Sequence, residues 1–245
     1  MNKNEKQQSI RSVVTTIVDR SNNFVQESST NKFERIVPHL LKKGVANLDL
    51  TMFSPELRSN LLIALGEAYR KKGNLHDAAK SFALAENKDK LNSVGEDYER
   101  IQQIGNSIEI YKLSGNKNKL IELGKRCLNE GKFNEAAKAF IASSYNEGLL
   151  KVGEFCTDHY KFDQALEVLS ILADKGRLLR LGDVCVENKS YSHALKAYNN
   201  AGSKEKLNST GDLLLREENI SKAMEAYTLA ENEAMVGFIK SNFIG

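Results

Sequence analysis

The residues best suited to thiol chemistry, metal binding or proton transfer here are three cysteines and four histidines. Cys127, Cys156 and Cys185 are evenly spaced by 29 residues (156 − 127, and again to 185). If that interval is one stacked structural unit, equivalent residues lie at least about 8 to 10 Å apart. A disulfide needs Cα atoms within about 7 Å, and a zinc ion draws its ligands to roughly 2.3 Å. The thiols are therefore expected to be small buried core residues, a usage that suits a reducing compartment. His39, His76, His159 and His193 share no register, and none has a second ligand at i, i+4. No G-x-x-x-x-G-K-[ST] loop, G-x-S-x-G elbow or other convergent nucleophile and base set is present. The sequence predicts no catalytic residue, no metal and no cofactor.

The interval itself is the stronger signal. Gly66, Gly95, Gly124, Gly153, Gly182 and Gly211 recur every 29 residues (95 − 66, and so on), although a mid-helix glycine costs about 1 kcal/mol against alanine. Positions −4, −1 and +3 from each glycine are mostly apolar, as in Leu62, Leu65 and Tyr69 or Leu120, Leu123 and Cys127. With the glycine they trace one stripe of helical period, the buried face of a first helix. A second stripe runs through +9, +12, +16 and +19, as in Leu75, Ala78, Phe82 and Ala85. The glycine and the small residue at +12 predict that the two helices approach closely at that level. The two prolines, Pro38 and Pro55, both precede the repeats, which leaves the helices uninterrupted.

The run "LGEAYRKKGNLHDAAKSFALA" resembles the tetratricopeptide repeat: L-G-x-x-Y, then Ala, an aromatic residue and Ala at +12, +16 and +19. The unit departs from that family in having 29 residues rather than about 34 and no proline after the second helix. The resemblance implies an all-α fold, a right-handed α-solenoid of six stacked helix-turn-helix repeats with terminal capping helices. Six units cover residues 58–231. Residues 31–57 are expected to form an irregular helical N-terminal cap, and 232–245 a C-terminal capping helix that covers the last repeat, with Lys240 where the next glycine would fall. Residues 1–30 carry Ile10, Val13, Val14, Ile17 and Val18 among polar residues. The stripe fits an amphipathic helix, although its β-branched content disfavours one, and it could pack on the cap or contact a partner or a second copy.

The net charge of +3 sits at the N-terminal end: residues 1–60 hold 9 Lys+Arg and 6 Asp+Glu, and the remainder 26 of each. A neutral array weakens any reading as a phosphate-backbone binder. Nothing approaches a membrane-spanning run of about 18 apolar residues or a secretory leader, so a cytoplasmic protein is expected. At +14 the charge alternates, Lys80, Glu109, Lys138, Glu167, Lys196, Glu225, predicting a ladder between adjacent repeats.

Position +1 reads Glu67, Glu96, Lys125, Glu154, Asp183, Asp212. In the arrays that the repeat resembles, this position faces the concave groove. Glu67, Glu96, Glu154, Asp183 and Asp212 would then form an acidic row, with Arg70, Lys71 and Arg100 at +4 and +5 beside it. These residues are the candidate groove, suited to a protein segment with basic and apolar side chains. The function expected is a non-enzymatic interaction scaffold. The rivals are a nucleic-acid-binding solenoid, which would need a basic groove with recurrent base-contacting residues, and a ligand-sensing regulatory solenoid.

Overall fold

The computed structural model describes residue 33 and residues 36–244. The stripe expected to form a helix within residues 1–30 lies outside the described residues. Among those described, all regular structure is helical: α1 (Val37–Lys43), a 3-10 turn (Val45–Asn47), α2 (Pro55–Lys71), α3 (Leu75–Leu84), α4 (Lys88–Arg100), α5 (Ile104–Ser114), α6 (Lys117–Asn129), α7 (Phe133–Ser143), α8 (Asn146–Asp158), α9 (Phe162–Leu172), α10 (Lys175–Glu187), α11 (Tyr191–Ala201), α12 (Lys204–Arg216), α13 (Ile220–Leu229) and α14 (Glu233–Ile239), the last followed by a π-helical turn (Lys240–Ile244). The chain divides into two compact units, Met1–Gly115 and Asn116–Gly245. In the first, α2/α3 and α4/α5 are stacked hairpins; in the second, α6/α7, α8/α9, α10/α11 and α12/α13 stack in turn and α14 packs on α13. The chain is an all-α helical repeat protein whose hairpins stack in the manner of an α-solenoid.

Local chemistry sets the period. From α4 onward the first helix of each hairpin has 13 residues and the second 10 or 11. Most first helices start from a polar cap: Ser54, Asn87, Asn116, Asp174 and Ser203 each accept the amide three residues on. Each hairpin then uses two left-handed residues, at +7 and +20 from the glycine. Four of these are glycines, and eight carry side chains, among them Tyr160 (φ 57°) and Ala173 (φ 51°). At the first turn the amide at +8 bonds the carbonyl at +3 in every repeat, for example Lys132 to Cys127 and Ser190 to Cys185, both at 2.8 Å. This is the 6→1 closure that ends a helix on a left-handed residue. Turns this tight account for a unit of 29 residues without proline.

The stripes are buried at −4, −1, +3, +12 and +16 as the periodicity predicts, while at +9 and +19 Phe133, Phe162, Ile220, Ala85 and Leu172 are only half-buried. Leu62, Leu91, Leu120, Leu149, Leu178 and Leu207 at −4 are 0 to 3% exposed, each contributing about 1.5 to 3 kcal/mol by burial. The recurrent glycine, however, has a different neighbour from the one expected. The small residues at +12 are fully buried, but it is the side chain at +16 that lies over the glycine. A Cβ on Gly66, Gly95 or Gly124 would stand 2.5 Å from the ring of Phe82, Tyr111 or Phe140, and one on Gly211 2.8 Å from Tyr227. Gly182 leaves even less room beneath Tyr198, whereas Gly153 faces the flexible end of Leu169 at 2.6 Å. The glycine is a seat for a large side chain of its own hairpin, so its cost in helix propensity is offset by the burial of that ring.

The ends depart from the repeat. The first helix begins at Pro55, ahead of the expected start at 58, with Ser54 as its cap and proline at the first position, where a missing N–H is harmless. Arg58 donates to the carbonyls of Leu50 and Phe53, and Tyr69 to that of Leu41, fastening the N-terminal segment to α2. At the other end, Asn232 caps α14. Val236 and the buried Ile239 take the −4 and −1 places of a further first helix.

Candidate partner-binding surface

The acidic positions at +1 are not a row of free charge. In the first unit Glu67 meets the Lys90 ammonium at 2.5 Å, an ion pair without hydrogen-bond geometry. In the second unit Glu154 meets Arg177 at 2.7 Å and Asp183 meets Lys206 at 2.8 Å. Each base stands at −5 of the following repeat. Two of the acids also serve the core, because Asp183 and Asp212 accept from the hydroxyls of Tyr198 and Tyr227, both at 2.6 Å. Burial, reinforced by the carboxylate acceptor, pushes both phenols well above their ordinary value. These aspartates thus satisfy the polar tip of the ring over the glycine, as a buried phenol requires. Glu67, Glu154 and Asp183 thus share their charge with a base of the next repeat, while Asp212 keeps a carboxylate that accepts from Tyr227.

Where the pattern breaks, another contact takes its place. Repeat 3 has Lys125 at +1 and the next −5 position is Gly148. A Cβ on Gly148 would lie 2.6 Å from Tyr145 and 2.8 Å from Phe140, so the notch seats the Tyr145 ring, and Lys125 stands over that ring at 5.6 Å from its centroid. The expected +14 ladder is not formed between repeats at the pairs observed. Lys80 reaches Asp77, Glu109 reaches Lys112 and Glu225 reaches Lys222, each within its own helix. One helical turn separates those partners, which is nearer than the neighbouring repeat.

Four of the candidate residues do converge. Glu67, Arg70 and Lys71 of α2 and Arg100 of α4 line one depression of about 450 Å³, together with Asp97, Leu75 and Ile101. Asp97 is shared: Arg70 holds it through Nε and Nη2, and Arg100 through Nη1 at 2.8 Å. The hydrogen bond to Asp97 holds the Arg70 guanidinium above its already high ordinary pKa. Lys71 has no ion-pair partner among the described residues and is exposed. Ile101 forms the lip, 54% exposed. Adjoining it, Glu67 and Lys71 also border a cleft of about 410 Å³ lined by Val37, Leu41, Ile63, Ala64 and Ala68. Glu96, on the same helix as Arg100, lines neither cavity, and Glu154, Asp183 and Asp212 belong to the second unit.

The second unit instead shows an aromatic edge. Phe155 stacks on His159 at 3.8 Å and packs against Phe133 at 4.8 Å, Phe162 lies near His193, and Tyr160 is 61% exposed. Phe133 and Phe162 share the +9 place of the second stripe, whereas Phe155, His159, Tyr160 and His193 fall outside both stripes, so the edge as a whole has no periodic signal. Groups that could do chemistry are withdrawn from solvent: Cys127, Cys156 and Cys185 are 0 to 1% exposed, and burial pushes the Cys156 thiol to about 11 and that of Cys185 to about 12. Among the described residues no group of three His, Cys, Asp or Glu could hold a metal, and no helix is long and apolar enough to cross a membrane.

No protein-family model matches the sequence, and no curated protein does. Among solved structures the chain is similar to a circular tandem repeat protein with novel repeat topology and enhanced subunit contact surfaces, at 16% identity and a TM-score of 0.16. The match covers 91% of this chain and 48% of that one, so the chain spans about half the length of that structure. The architecture rests on the helices described above and not on this likeness.

Proposed function

We propose that the chain is a non-enzymatic interaction scaffold of tetratricopeptide-like repeats, acting in a reducing compartment such as the cytoplasm, and that the α2/α4 face receives a segment of a partner protein. The observation that carries this reading is the depression where Arg70, Lys71 and Arg100 meet, open to solvent and adjoining an apolar cleft. Polar groups that fix orientation beside apolar surface that excludes water are the ingredients of a peptide site. The acids of the second unit are better understood as repeat couplers than as ligand contacts, because their partners lie within the chain.

A photo-crosslinking residue placed at Ile101 in living cells tests this reading, with one at Leu84, exposed on α3, as the control. Discrete protein adducts from position 101 and not from 84 are expected. Adducts to RNA alone, or the same protein adducts from both positions, would contradict it.

A further inference from the structure

We infer that the depression between α2 and α4 selects an acidic protein segment, seated by an apolar side chain against Leu75 and Ile101. This rests on the reading of that face as the binding surface and adds the chemistry of its ligand, opposite in sign to the basic segment that the +1 row suggested. Three cations and two carboxylates line the depression, and both carboxylates are already engaged, Glu67 by Lys90 and Asp97 by two arginines at once. The surplus is therefore positive. A guanidinium carries five N–H donors, and Arg100, with 69% of its side chain exposed, spends few of them on Asp97. Lys71 offers a second cation one helix away, on the rim common to both cavities.

Asp97 gives this arrangement its order. By anchoring Arg70 through two contacts and Arg100 through a third, it fixes two guanidinium groups before any ligand arrives, which reduces the side-chain ordering that binding would otherwise require. A partner carboxylate meeting Arg100 and Lys71 gains charge-assisted hydrogen bonds at little desolvation cost, since both groups stay at the surface. The chain's own N-terminal segment does not complement the site. Residues 1–32 carry five Lys+Arg and three Asp+Glu, so they share its sign.

Three labelled peptides, repeating Glu-Glu-Leu, Gln-Gln-Leu and Lys-Lys-Leu, titrated against the full chain by fluorescence anisotropy, test the inference. The glutamate peptide is expected to bind at least about tenfold more tightly than the glutamine peptide, a gap that narrows as salt screens the charges. Lys71→Ala with Arg100→Ala should remove about tenfold, Ile101→Ser should weaken binding several-fold, and Lys196→Glu on α11 should change nothing; circular dichroism checks that each variant is folded. Tighter binding of the lysine peptide, abolished by Ile101→Ser, would overturn the sign of the ligand and leave the surface standing. Equal binding of all three peptides, or indifference to the α2/α4 variants, would overturn the inference. Preferential binding of poly(U) RNA in competition with the glutamate peptide would overturn it in favour of nucleic acid.

Discussion

Glu67 and Asp183 occupy the same place in their repeats, one in each unit, and their surroundings differ. Asp183 accepts from the hydroxyl of Tyr198 and pairs with Lys206, so its charge belongs to the fold. Phe82, the ring over Gly66, has no hydroxyl to satisfy, and among the described residues the ion-pair partner of Glu67 is Lys90. On the same face of the second unit, Arg177 is held by Glu154 and Asp174, and Arg180 by Asp158. In the first unit, Lys71 has no ion-pair partner among the described residues and two arginines divide one aspartate. Hairpins built from one pattern can thus pair the charges of this face in different ways.

The largest effects should come from the shared core. Gly182→Ala forces its methyl into the Tyr198 ring and is expected to destabilise by about 1 to 3 kcal/mol through overpacking. Gly153→Ala should cost visibly less, because the flexible end of Leu169 can turn aside. Urea denaturation compares the two, and equal losses would break the account of the glycine as a seat for a ring.

Alkaline pH should come next. The buried thiols of Cys156 and Cys185 ionise at about 11 and about 12 in the folded chain, against about 8.5 when unfolded. The unfolded state therefore releases protons first, and stability falls as pH rises above about 8.5, until the folded thiols also ionise. Melting temperatures between pH 8 and pH 11 should decline less steeply in Cys156→Ala/Cys185→Ala than in the parent; an unchanged slope would mean the thiols are not desolvated.

Ion pairs between repeats should matter less. A double-mutant cycle on Asp183 and Lys206 is expected to give a coupling of about 0 to 1 kcal/mol, the range of exposed pairs, with the loss of Asp183 itself costing more because Tyr198 then lacks its acceptor. The smallest change should be a gain. Ala173→Gly relieves a left-handed backbone that costs an L-residue roughly 1 to 2 kcal/mol, offset in part by about 0.5 to 1 kcal/mol for glycine's freedom in the unfolded chain. A thermal melt should show a slight rise; a fall would mean that position carries no strain.

The repeated elements are legible in the sequence because burial imposes a strict period: the stripes at −4, −1, +3 and +16 can be read from residue type alone. The glycine misleads, since spacing does not reveal whether a small residue faces another small residue or lies under a ring. The coupling of the acids has a sequence signal of its own, which only the ion pairs bring out. Lys90, Lys119, Arg177 and Lys206 stand at −5 after an acidic +1 residue, while Gly148 follows Lys125. Lys71 and Arg100 share the +5 place of their repeats and Ile101 follows at +6, but their meeting around one depression depends on how α2 and α4 lie together.

Hydrogen exchange of the full chain, followed by mass spectrometry with and without the repeating Glu-Glu-Leu peptide, tests the central claim most directly. Slowed exchange confined to the end of α2, the turn after it and the end of α4, with the second unit unchanged, is the predicted result. Protection centred on the second unit, or none at a concentration where anisotropy reports binding, would contradict the assignment of the α2/α4 face.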